Sequence, residues 1–132
     1  MRNYRKYNVW KNSVELSVDI HKVLVSISRH EAHGLLDQMR RASVSIASNI
    51  AEGAGRKSSN EFQHFLHISI GSAFELETQL LIALKIGYIT LETCKNLNDK
   101  LITIEKQLNE MISVVSSSHK QSAKGQYLIA NS

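Results

Sequence analysis

Two pairs of basic residues carry the clearest chemical signal in this chain. Arg40 and Arg41 begin a polar helical segment, and Arg56 and Lys57 follow its end, with Glu52 as the one acid between the pairs. Guanidinium groups form paired hydrogen bonds with phosphate oxygens, so these four residues are candidate nucleic-acid contacts. Consecutive helical residues point about 100° apart, however, so Arg40 and Arg41 cannot both face the same way. An ion pair with Glu52, Glu75 or Glu77 inside the protein is an equally good explanation for one of them.

The N-terminal arm, residues 1–7, and the residues just after it supply a second basic group. Aromatic side chains alternate with the basic ones, and Tyr4 and Tyr7 are of the type that stacks on unpaired bases or anchors an arm to the body. Trp10 lies one turn before Val14, which favours a core position for the indole. The candidate phosphate contacts here are Arg2, Arg5, Lys6 and Lys11.

The distribution of charge limits this argument. The chain has 132 residues and a net charge of +4, with 16 Lys and Arg against 12 Asp and Glu. Four of the basic residues precede residue 12, and no acid does, so the remaining 12 balance the 12 acids. The excess positive charge therefore belongs to the arm, and the near-neutral body also fits a protein that binds another protein.

Composition predicts one all-helical domain. Hydrophobic residues make up 42% of the chain and proline is absent, which favours uninterrupted helices. No stretch has the roughly 20 apolar residues of a membrane span, and no apolar core of a leader peptide follows the basic start. With one cysteine, Cys94, placed in a leucine repeat, we expect a soluble protein of the reducing cytoplasm and no membrane partner.

Apolar periodicity predicts the architecture. In the last helix, apolar residues recur in steps of three and four from Cys94 to Val115, the spacing of a seam that faces neighbouring helices. Similar spacing in three earlier segments, with short connections, predicts an antiparallel up-down four-helix bundle. The predicted helices span about 8–29, 33–54, 59–86 and 90–116, and the serine-rich residues 117–132 are predicted to form a flexible tail.

Catalysis and metal binding find little support. Glu61 and His64 have the Glu-x-x-His spacing of di-iron bundles, and His67 follows, but the chain has no second copy of this motif. The glycines at 53 and 55 lack the lysine and serine that end a phosphate-binding loop. We therefore expect no enzyme activity, no cofactor and no metal site.

The segment from Gln38 to Lys57 also resembles a known family. Its pattern of glutamine, paired arginines, small residues and NIAEG is similar to the signature of bacterial 23S ribosomal RNA intervening-sequence proteins. A second block, from Gly71 to Thr78, resembles the family's GSxxELET core. The first match comprises Gln38, Arg40, Arg41, Ala42, Ser45, Ile46, Asn49, Ile50, Ala51, Glu52, Gly53 and Arg56.

The resemblance extends from about residue 7 to about residue 115 and implies a four-helix bundle. It also implies ring-like homopentamers, as in the related accessory proteins of diversity-generating retroelements, and it implies no defined activity. Two prolines frequent in the family are missing here, after Ile46 and before the second helix. The motif residues given a structural role are Gln38, Asn49, Glu52, Gly53, Glu75 and Glu77, and we expect the last two to form ion pairs between helices or subunits.

Apolar residues of the third helix exceed what one seam buries. Ile70, Phe74, Leu81 and Ile82 lie outside its main stripe. They indicate either self-association or a wide stripe packed on two neighbours. Both explanations remain open at this point.

Two functions follow from these observations. The first is a non-enzymatic homo-oligomer that binds structured RNA, or an RNA-containing complex, through a basic rim. The second is a homo-oligomeric scaffold for a protein partner, which would dock on the rim or on Tyr127, Leu128 and Ile129 of the tail. A steep salt dependence of nucleic-acid affinity would distinguish the first from the second.

Overall fold

Four long helices form the molecule in this computed structural model, which describes the backbone of residues 2–130 and the side chains of residues 2–118. Short 3-10 turns at Tyr4–Lys6 and His30–Ala32 precede α1 and α2. Residues 2–130 contain no strand, which confirms the predicted all-α four-helix fold. The helices are α1 (Asn8–Val25), α2 (His33–Ala54), α3 (Ser59–Ile86) and α4 (Leu91–Ala130).

Contacts between helices show an up-down arrangement. On α1, Asn12 bonds Gln107 of α4 at 3.1 Å, and Asp19 pairs with Lys100 at 2.7 Å. Residue numbers thus rise along α1 while they fall along α4, so the two helices are antiparallel. The contacts of α2 with α3 show the same reversal. Each helix packs on the next one in the chain, and α4 also packs on α1.

Leucine and isoleucine side chains fill the space between the helices. The seam predicted for α4 is buried from Cys94 through Leu108, and its residue Leu101 has no exposed surface. Burying one such leucine stabilises the fold by about 2 kcal/mol. The fully buried side chains include Leu16, Ile20, Leu36, Ile46, Ile50, Leu66, Leu76 and Ile104.

Polar residues and glycines define the helix ends. Ser58 is the N-cap of α3, because its hydroxyl accepts a hydrogen bond from the amide of Glu61 at 3.1 Å. Gly87 ends α3 with φ of 93°, a conformation that side chains disfavour. Thr90 caps α4 by accepting from the Thr93 amide at 3.1 Å.

Two helix ends differ from the prediction. α1 stops at Val25 rather than near residue 29, because the Ser26 hydroxyl bonds the Val23 carbonyl and the Ile27 amide makes a tighter bond to Leu24. α4 continues to Ala130, so residues 117–130, predicted as a flexible tail, have a helical backbone. Nothing in that segment breaks a helix, since it contains no proline. The docking role predicted for Tyr127, Leu128 and Ile129 concerns side chains outside the described part.

Candidate nucleic-acid interface

The chain start folds onto the turn between α2 and α3. The Arg2 guanidinium donates from Nη1 to the backbone carbonyl of Arg56 at 2.7 Å. It also lies over the ring of Phe62, 4.6 Å from its centroid, which adds a cation–π contact. A residue 54 positions away in sequence therefore joins the basic pair that follows α2.

Arg56 has a second set of contacts. Its guanidinium pairs with Glu52 one turn earlier at 2.5 Å and covers the ring of Phe65 at 4.7 Å. Lys57 beside it is exposed. Arg2, Arg56 and Lys57, here called the end cluster, surround a hollow of about 530 Å³ together with Gly55.

The helix that follows adds to the positive potential at this end. α3 begins immediately after the turn, with Ser58 at its cap. The amides of a first helical turn and the helix dipole both favour anions. Glu61, in that first turn, offsets part of this effect.

The other cations of the N-terminal region do not line the hollow of the end cluster. Arg5 lies over Tyr4 at 4.7 Å, and Tyr4 meets the edge of Trp10 at 5.1 Å. Trp10 packs half-buried against the core, in agreement with the position predicted for it. The candidate residues Lys6 and Lys11 are exposed.

The first basic pair, Arg40 and Arg41, lies far from the end cluster. Arg40 pairs with Asp37 at 2.7 Å, and Arg41 donates from Nε to the Asp37 carbonyl at 3.4 Å. Because a helix rises about 1.5 Å per residue, Arg40 lies roughly 24 Å from Arg56 along α2. The predicted single rim is therefore two separate basic groups. The acid near the first pair is Asp37, not the Glu52, Glu75 or Glu77 considered from sequence.

Three shallow hollows that share lining residues lie along the outer side of α2 between these two groups. A hollow of about 470 Å³ contains Arg40, Arg41, Val44 and Ser48, with His21 of α1 beside them. Ser48 also lines a hollow of about 620 Å³ that reaches Arg56, and Arg56 in turn lines the hollow of the end cluster. We call this connected surface the α2 trough.

Small residues allow α2 to pack closely on its neighbours. Ser43 bonds Ser17 of α1 at 3.0 Å, and Ser45 bonds Ser72 of α3 at 2.7 Å. Asn49 donates to the Ser45 carbonyl at 2.9 Å, so its amide belongs to the same polar seam. The small-residue motif therefore positions α2 between α1 and α3.

Gly53 marks the closest approach between α2 and α3. A β-carbon at this position would lie 2.6 Å from Cβ of Phe65 and 3.1 Å from Phe62. The α2 end and the two rings that support the arginines are thus in direct contact. Any side chain at Gly53 would displace the surface on which Arg2 and Arg56 rest.

The other motif residues occupy different surroundings. Gln38 is exposed, and Glu75 accepts a hydrogen bond from Gln79 at 3.2 Å. Glu77 lies near another carboxyl group, Glu105 of α4, and it takes part in none of the ion pairs among the described side chains, so its predicted pairing between subunits stays a prediction. Burial, followed by the charge and hydrogen bonding of Glu77, raises the pKa of Glu105 to about 7.

The described side chains do not assemble a metal or nucleophile site. Glu61, His64 and His67 are exposed on α3, and across residues 2–118 no three possible ligands come together. The Cys94 thiol is buried beside the Leu80 carbonyl, and burial raises the pKa of that thiol.

Comparison with known proteins agrees with this arrangement of helices and motif residues. The family model described as 23S rRNA-intervening sequence protein matches residues 5–110. The chain belongs to this family. The matched region includes the whole of α1, α2 and α3 and much of α4, together with every cation of the interface except Arg2.

A solved family structure shows the same fold. A protein of unknown function from the S23 ribosomal protein family of Bacteroides thetaiotaomicron VPI-5482 is 28% identical, with a TM-score of 0.74. The match covers 79% of this chain and 97% of that one. No curated protein matches the chain. In the described helices we find none that is both long enough and apolar enough to cross a bilayer.

Sequence reasoning missed two features of the site. It placed Arg2 in the basic arm without assigning it a contact inside the protein, whereas the Arg2 guanidinium lies over the Phe62 ring at the start of α3. It also missed Glu105, which is one position from the seam residue Ile104 and four from Leu101. That spacing puts Glu105 at the edge of the buried stripe, a detectable though weak signal.

Proposed function

We propose that this protein is a non-enzymatic, homo-oligomeric helical bundle of the cytoplasm that binds RNA through its basic surface. The observation that carries the proposal is the end cluster. Arg2, Arg56 and Lys57 come from distant parts of the chain and converge on one hollow. Arginines held on aromatic rings are pre-positioned, so less side-chain freedom is lost when they bind phosphate.

The local charge balance favours a polyanion. Glu52 neutralises one positive charge through Arg56, while Arg2 donates to a carbonyl, which leaves its charge uncompensated. Arg5 and Lys6 of the arm add two exposed charges nearby. The name of the family refers to 23S rRNA, so an RNA is the first ligand to test.

Self-association is supported by the outer side of α3. Phe74, Leu81 and Ile82 are 49%, 50% and 42% exposed, whereas Ile70 is buried. Three of the four residues singled out from sequence thus remain uncovered in one protomer, and such apolar patches commonly mark interfaces. A ring, which the family resemblance implies as a pentamer, would repeat the end cluster and convert weak contacts into avid binding.

The experiment is a titration of a structured RNA and a matched duplex DNA into the purified protein at several salt concentrations, with solution mass measured in parallel. We expect RNA affinity to fall steeply with salt, because phosphate contacts release counterions. An intact oligomer that binds neither nucleic acid at low salt would overturn the proposal.

A protein-binding scaffold is the alternative function. The observation that favours it is the same exposed apolar surface on α3, which would serve a foreign partner as well as a second copy. Its signature is association that changes little with salt. This alternative is also homo-oligomeric, so an intact oligomer that binds no RNA would support it.

A further inference from the structure

We propose that the α2 trough binds a single strand of RNA, which runs from Arg41 to the end cluster. This inference rests on the proposed function and specifies which form of RNA the surface takes. Its basis is the continuity of the trough, the small side chains of its floor and the positive charge at both ends.

Continuity follows from shared lining residues. Ser48 lines both the hollow beside Arg41 and the hollow that reaches Arg56. Gly55 and Arg56 line this second hollow and also the hollow of the end cluster. One path therefore passes both basic groups. The ends lie roughly 24 Å apart, which a stacked strand covers with about seven nucleotides at about 3.4 Å each.

The shape of the trough favours a single strand over a duplex. Its floor is one helix, about 10 Å across, and carries the small residues Ser48, Ala51 and Gly55. A double-stranded RNA is a rigid helix whose base faces are hidden, so it would touch the ends without entering the floor. An unpaired strand places both phosphates and base faces within reach.

Two features supply contacts along the path. Val44 is 46% exposed on the floor and offers an apolar surface to a base. Tyr4 lines the trough near its centre and already carries Arg5 on its ring, a stacked pair of the kind that holds unpaired bases. Glu52 is the acid nearest this centre, and Arg56 partly neutralises it.

The test compares charge at two matched valines. Val44→Glu places a carboxylate on the trough floor, whereas Val18→Glu places one on α1 at an equally exposed position, 46% in both cases. The probes are a 12-nucleotide single-stranded RNA and the duplex formed with its complement, titrated by fluorescence anisotropy at low salt. Helicity of both variants is checked by circular dichroism.

We expect the single strand to bind at least tenfold more tightly than the duplex. Val44→Glu should weaken single-strand binding about tenfold, and Val18→Glu less than twofold. Equal affinity for strand and duplex, or equal losses in the two variants, would overturn the trough while leaving RNA binding intact. If neither the single strand nor the duplex binds, the proposed function itself is overturned.

A neutral variant separates shape from charge. Ser48→Leu adds bulk where two hollows of the trough meet, without altering charge. Ser48 is exposed, so the core is not disturbed. We expect several-fold weaker binding of the single strand and unchanged binding of the duplex. Unchanged binding of both would contradict a path over the trough floor.

Discussion

Glu77 of α3 and Glu105 of α4 present two carboxyl groups to each other between their helices, close enough to share a hydrogen bond. Glu105 is 9% exposed, and its Oε1 has no hydrogen-bond partner among the described residues. The side of α4 that faces α1 carries Gln107 and Lys100, which are engaged by Asn12 and Asp19. The three ion pairs among the described side chains include neither Glu77 nor Glu105.

This pair predicts that stability depends on pH. Burial and the neighbouring Glu77 raise the pKa of Glu105 from 4.5 to about 7, so the folded protein keeps a proton that the unfolded chain releases. The contribution of this pair to stability should therefore be fully present below about pH 4.5, fall as pH rises to about 7, and level off above it. Glu105→Gln removes this dependence and should stabilise the fold by on the order of 2 kcal/mol at about pH 8.

The measurement is urea unfolding of the wild type and of Glu105→Gln at about pH 5 and about pH 8. Glu110→Gln, an exposed position on the same helix, is the control and should differ little from the wild type at either pH. If Glu105→Gln and the wild type differ by the same amount at both values, the carboxyl pair is not the cause of the pH dependence.

Gly53 predicts a packing defect on substitution. Gly53→Ala places a β-carbon 2.6 Å from Cβ of Phe65, so α2 and α3 must separate. We expect a loss of about 1–3 kcal/mol in the free energy of unfolding. Gly71→Ala meets no atom within 4 Å in the middle of α3 and should stabilise by about 0.5–1 kcal/mol. A tolerated Gly53→Ala in thermal unfolding would contradict this close contact.

The arrangement of helices was predictable because it depends on local signals. The seam from Cys94 to Leu108 and the caps at Ser58 and Gly87 act within one helix or one turn, so periodicity reveals them. The interface depends instead on contacts between distant residues. Arg2 reaches the Arg56 carbonyl across the fold, and no local pattern distinguishes a docked arginine from a free one.

Glu52 predicts a gain in affinity when its charge is removed. Its carboxylate lines the trough and pairs with Arg56, where it repels an approaching phosphate. Glu52→Gln should therefore tighten RNA binding about two- to fivefold at low salt, with a smaller gain at high salt because screening already weakens the repulsion. Glu92→Gln, an exposed acid at the start of α4, is the matched control and should have little effect. Weaker binding by Glu52→Gln would indicate that Arg56 needs this partner to be positioned.

The exposed side of α3 predicts the assembly surface. Phe74→Asp or Leu81→Asp places a charge in the apolar patch without entering the core, since about half of each side chain is exposed. We expect a lower solution mass by light scattering with unchanged helicity. Val25→Asp, on α1 at 79% exposure, should leave the mass unchanged. An unaltered mass for both α3 variants would exclude this patch as the contact between copies.

The central claim is that the end cluster binds RNA phosphates, and its most direct test is the salt dependence of affinity in two matched triple variants. Arg2→Ala/Arg56→Ala/Lys57→Ala removes the cluster, whereas Lys22→Ala/Lys85→Ala/Lys95→Ala removes the same charge from exposed positions elsewhere. We predict that the first variant weakens RNA binding at least tenfold and lowers the slope of log affinity against log salt by about 2, at about 0.7 per phosphate contact. The second should stay close to the wild type. Equal losses of affinity and slope in the two variants would show that RNA senses net charge alone, and would contradict a phosphate site at the turn between α2 and α3.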